Sequence, residues 1–84
     1  MKAKKPKPKI YGDFNNADEL GRIRLSTIGS EEDIERLGLV LNDGMEIEVD
    51  YDDELSADAI VRYSDSEKRW VAEIDWGKIR YKSE

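Results

Sequence analysis

Two alternating segments between Ala57 and Tyr81 do most to limit what this chain can fold into. In the first, Ala57, Ala59, Val61 and Tyr63 form one face, opposite Asp58, Ile60 and Arg62; in the second, Trp70, Ala72, Ile74 and Trp76 recur at every other position. A period of two belongs to an extended strand with one face buried and the other wet. The polar stretch from Ser64 to Lys68 between them is a hairpin loop. A third segment repeats the pattern upstream: Met45, Ile47, Val49 and Tyr51 alternate with Glu46, Glu48 and Asp50 after the turn signal Asn42-Asp43-Gly44. Three hairpin-linked strands with one apolar face are therefore the frame.

Around that frame the remaining elements are short. Gly21 to Thr27 alternates, with Ile23 and Leu25 inward, and reads as a further strand. Ser30 followed by Glu31, Glu32 and Asp33 reads as a helix N-cap with acids in the first turn, and Gly38 as the terminator of a helix over residues 30–37. Leu39 to Leu41 is a brief apolar run, and Asp52 to Ser56 a loop. Trp76-Gly77-Lys78 breaks the last long strand before a closing strand at Ile79 to Tyr81. Residues 10–20, with Ile10, Tyr11 and Phe14 among Gly, Asp and Asn, read as irregular structure whose aromatics lid the core. The expected fold is mainly β: a single small SH3-like barrel of about five short antiparallel strands with one short helix in its first long loop.

With 84 residues the chain makes one small domain, and having neither cysteine nor histidine it lacks disulfides, thiolate metal ligands and the commonest general base. Packing alone must hold it. The net charge of −6 conceals an asymmetry: Lys2, Lys4, Lys5, Lys7 and Lys9 put +5 into the first nine residues. The rest carries nine basic and twenty acidic residues, a net −11. Residues 1–9, rich in lysine and interrupted by Pro6 and Pro8, read as a disordered basic arm, and residues 10–84 as the domain. No apolar stretch follows the arm, so a signal peptide is not expected and the expected location is cytoplasmic, without membrane contact.

The densest charge feature is the outward stripe Glu46, Glu48 and Asp50, continued by Asp52, Asp53, Glu54 and Asp58. It suits a basic partner; as a solvated face it would take Arg62 as cross-strand counter-charge. A calcium loop starting at Asp50 is excluded by spacing, since Leu55 stands at the sixth position and Val61 at the twelfth. Arg22 and Arg24, on the outer face of the strand at Gly21 to Thr27, read as structural pairing partners of the stripe, with an anion site as the alternative. At least one of Trp70 and Trp76 belongs to the core. Trp76, at a strand end, joins Tyr51, Tyr81 and Tyr11 as a candidate lining for a peptide groove that suits a basic or proline-rich ligand, a class that includes the chain's own arm. Ile60 and Val71 point to the opposite face and form either an exposed apolar pair or, if the sheet curls, a second small core.

The runs Gly21 to Gly29, Glu32 to Gly38, Val61 to Lys68 and Trp70 to Trp76 resemble a group of small uncharacterised bacterial proteins with a lysine-rich start. That group has no assigned activity, cofactor or partner, so the resemblance implies no site residue. The residues themselves favour a non-catalytic binding or regulatory module. It would engage another protein through an acidic, aromatic-edged face: Glu46, Glu48, Asp50, Asp52 and Asp53 steer, and Tyr51 and Trp76 anchor. The alternative is a nucleic-acid- or ribosome-associated accessory protein using the lysines of the arm. No enzyme, cofactor or metal is expected, and the chain is expected as a monomer or weak dimer.

Overall fold

The computed structural model describes residues 7–81. Its strands are β1 (Lys9–Tyr11), β2 (Ile23–Arg24), β3 (Glu46–Tyr51), β4 (Leu55–Ser64), β5 (Arg69–Ile74) and β6 (Arg80–Tyr81). One helix, α1 (Ile28–Arg36), lies between β2 and β3, and a single 3-10 turn (Trp76–Lys78) between β5 and β6. The strands form one sheet in the order β1-β3-β4-β5-β2, with β6 pairing the start of β4. It curls into a half-barrel.

The meander β3-β4-β5 is antiparallel, as the alternation requires, with Val49 opposite Ala57, Ile47 opposite Ala59 and Val61 opposite Ala72. These residues, with Ile10, Phe14, Ile23 and Leu25, make the buried core. The all-antiparallel expectation fails at the first strand. β1 runs parallel to β3, placing Ile10 beside Val49, and Gly12 follows where a Cβ would overlap the Val49 side chain. A parallel neighbour supplied from the far end of the chain leaves no hairpin signal in the sequence. Lys9, read as the end of the arm, is already in β1, and Lys7 and Pro8 are also in the described region.

Helix α1 starts earlier than its acids suggested. Thr27 is the N-cap, its Oγ1 accepting from Ser30 N at 3.2 Å, so Ser30 is not the cap but sits inside the first turn, fully buried. Its hydroxyl donates to the Tyr11 carbonyl, while Asp33 Oδ2 accepts from Tyr11 N at 2.8 Å. Two helix side chains thus satisfy the backbone groups of Tyr11 on the outer edge of β1, where another strand could otherwise pair. The helix ends in a Schellman motif: Leu39 N donates to Ile34 O, Gly38 N to Glu35 O, and Gly38 has φ +64°.

Two inward assignments, Tyr63 and Trp76, shift. Tyr63 lies beyond the last buried residue of its face and is exposed, edge-on to Trp70 with ring centroids 5.0 Å apart. Trp70 is half-buried against the core, whereas Trp76 is 46% exposed. On the opposite face Val71 is fully buried between Arg24 and Arg62 in register, and Ile60 is half-buried. Leu55 and Ser56, read as loop, belong to β4.

Candidate functional site: the acidic outer face of the sheet

The register collects the outward residues into rows. Glu46 faces Ile60, which faces Glu73; Glu48 faces Asp58; Asp50 faces Ser56. On the other flank of β3, Lys9 pairs with Glu48 and Tyr11 with Asp50. Since Ile10 and Val49 are both buried, Lys9 and Tyr11 lie on the acidic face with the stripe.

Much of the stripe is neutralised by the chain's own cations, and Arg62 is not the one that does it. Arg80 NH2, brought over by β6, lies 3.2 Å from Glu48 Oε2 and 3.3 Å from Asp58 Oδ1. Lys7 Nζ lies 3.3 Å from Asp58 Oδ2. Burial pushes the Asp58 carboxyl up, but hydrogen bonds from Lys7 and Arg80 outweigh it and hold the group below the ordinary carboxylate value. Arg62 pairs instead with Glu73, at 3.0 Å, and with Asp43, at 3.7 Å. Glu46 has no ion pair among the described residues.

Asp52 and Asp53 stand at the tip of the β3-β4 hairpin with φ of 49° and 61°. Two consecutive left-handed residues give the turn the primed geometry that matches strand twist, and aspartate tolerates it better than most residues. Asp53 N donates to Asp50 Oδ2 at 3.2 Å, so these acids shape the turn as well as charging its tip.

The aromatic residues expected to line one groove are divided. Tyr51 stacks on Tyr11, with ring centroids 5.9 Å apart and planes inclined by 44°. Burial, with Asp52 and Asp13 adding to it, raises the Tyr11 phenol above its usual pKa. Trp76 makes its ring contact with Phe14, edge-on at 6.1 Å, and its Nε1 donates to the Gly21 carbonyl at 2.8 Å. It thereby ties the 3-10 turn to the segment before β2. Tyr81 is exposed on β6.

Arg22, just before β2, and Arg24 within it are used structurally, though not on the stripe. Arg22 Nε lies 2.9 Å from Asp18 Oδ2, and Arg24 forks onto Glu67 with two 2.8 Å bonds while its third nitrogen meets Asn16 and the Ala17 carbonyl. Lys2, Lys4 and Lys5 of the arm lie outside the described residues.

Sequence reasoning did not assemble the concavity on this face. A groove of about 570 Å³ is lined by Glu46, Asp58, Glu73, Asp75 and Lys7, with Ile60 as its outward apolar side chain; Ala59 and Ile74, paired on the core side of the sheet, also border it. It exists because β5 pairs with Ala59 to Ser64 and β6 with Leu55 and Ser56, leaving Ala57 and Asp58 between them without a neighbour on that side of β4. Outward Asp58, Ile60 and Glu73 were legible singly, but only the register makes them neighbours. Comparison of the chain with protein-family models, curated proteins and solved structures returns no match.

Proposed function

We propose that this protein is a non-catalytic binding module that receives a basic segment of another protein on the acidic outer face of its sheet. One observation carries the reading: four carboxylates against one ammonium wall an open groove with an apolar lining. Such a surface offers a cationic chain both charge and a place for its methylenes. The oligomeric state expected with it is a monomer, because Ser30 and Asp33 occupy the Tyr11 backbone groups at the β1 edge and the segment at residues 16–18 covers β2 through Arg24 N to Asn16 O and Asp18 N to Arg22 O.

The test is fluorescence anisotropy of the full chain against two labelled probes, a Lys-Pro-Lys-Pro-Lys peptide and a single-stranded RNA oligomer, over a salt series. Binding of the peptide but not the RNA, weakened by Glu46→Gln, supports the module. Binding of the RNA, lost when Lys2, Lys4 and Lys5 are replaced by glutamine, overturns it in favour of a nucleic-acid accessory role for the arm.

A further inference from the structure

Resting on that reading, we infer that the groove between β4 and the end of β5 is a slot for an extended, lysine-rich segment of the partner, and that Lys7 is its built-in competitor. The groove already takes one lysine side chain from a segment of this chemistry. Lys7, Pro8 and Lys9 run along β3: Lys7 is paired with Asp58, the Pro8 carbonyl accepts from Glu48 N at 2.9 Å, and Lys9 stands beside Glu48 in register. The backbone of this segment belongs to the sheet beside β3, and the Lys7 side chain reaches across the outer face to Asp58, so the groove already receives one lysine ammonium of a Lys-Pro segment.

The four wall carboxylates are not equally served. Asp58 and Glu73 have cations of this chain, Lys7 with Arg80 and Arg62 respectively. Among the described residues Glu46 and Asp75 have none; the Asp75 carboxylate only accepts from Gly77 N, at 3.0 Å, where it caps the 3-10 turn. A lysine laid along Ile60 keeps its stem on apolar surface and brings its ammonium to these two unneutralised groups. A second lysine of the same segment meets Asp58 only by displacing Lys7. The partner's segment therefore carries at least two lysines that reach the groove together and no acid between them.

The experiment is a titration of the full isotopically labelled chain with the Lys-Pro-Lys-Pro-Lys peptide, followed by amide chemical shifts, with a Glu-Pro-Glu-Pro-Glu peptide as control. Expected are shifts centred on Ile60, Ile74 and Asp75, absent with the control. Glu46→Gln and Asp75→Asn, the latter keeping the capping oxygen, should each weaken binding by about two- to fivefold, the size of an exposed ion pair. Lys7→Ala should tighten it by a similar factor, a gain that a purely structural role for Lys7 does not produce. Binding that shifts the Tyr51 to Glu54 turn instead, indifferent to these variants, overturns the slot while leaving the acidic-face module standing. No binding by any variant at millimolar peptide overturns both. Concentration-dependent dimerisation abolished by Glu46→Gln gives the groove to a second copy of this chain and overturns the partner assignment.

Discussion

A carboxylate as enclosed as that of Asp18, with a side chain only 4% exposed, stays ionised because donors surround it. Burial works to raise its pKa; the backbone N–H of Arg22 at 2.8 Å, the Arg22 guanidinium and the N–H of Leu20 at 3.0 Å outweigh burial and lower it. A carboxyl whose folded pKa lies below its unfolded one adds stability that is complete above the unfolded value. That stability is lost as pH falls through the folded value. Asp18→Asn keeps the shape but turns one acceptor into a donor facing Arg22. It should cost about 1–3 kcal/mol at neutral pH, and the gap to the unmodified chain should close below a pH of about 4. Urea unfolding of both chains across that range checks it; a gap independent of pH would show that the charge is not what matters. Nothing in the sequence marked Asp18, since one acid among twenty gains its role only when a tight turn aims three donors at it. Arg22 and Arg24 were legible as pairing residues, but their partners, Asp18 and Glu67, follow from the fold and not from spacing.

Between elements, the contact that the whole architecture leans on is the one between α1 and β1. Ser30 and Asp33 present one donor and one acceptor to the two backbone groups of Tyr11, and Gly29 lets the Tyr11 ring come against the helix, where a Cβ would stand 2.7 Å from Tyr11 Cδ2. Asp33→Ala leaves Tyr11 N without its acceptor. The expected result is a loss of about 1–3 kcal/mol together with faster hydrogen exchange at Tyr11, the remaining sheet amides keeping their order of protection. Gly12→Ala tests the neighbouring close approach: its Cβ meets Val49 and Ile23, so overpacking should cost about 1–3 kcal/mol in a chemical melt. The three strands of the meander were readable because each has one buried and one wet face. β1 was not, because three residues cannot display a period and its partner in the sheet lies beyond the helix. The helix was readable, but its start was not: Thr27 and Ser30 are both good caps, and burial of Ser30 under β1 decides between them. The groove was hidden for the same reason as β1, since it depends on which residues of β4 lack a neighbour once β5 stops and β6 begins.

For the molecule as a whole, stability and the role of the basic arm are joined at Ile10. A domain of this size has a total stability of about 4–13 kcal/mol at the usual figure per residue, and Ile10 is one of its fully buried side chains, at 0% exposure. Truncating such a residue to alanine costs about 2–5 kcal/mol, from lost transfer energy and the cavity left behind. Ile10→Ala should therefore broaden or abolish the cooperative thermal transition followed by circular dichroism. Removing residues 1–11 should abolish it outright, because Val49 and Ile23 then lose their covering strand. The consequence reaches function: cutting the arm back through Lys9 removes Pro8 O from Glu48 N and the first residue of β1, so lost binding in such a chain reports a damaged sheet. Replacing Lys2, Lys4 and Lys5 by glutamine changes charge and leaves β1 in place, and Lys7→Ala leaves Asp58 with Arg80 as its one cation among the described residues without touching the strand. If the chain lacking residues 1–11 melts cooperatively near the temperature of the full chain, the core closes without β1. The basic segment and the fold would then be uncoupled.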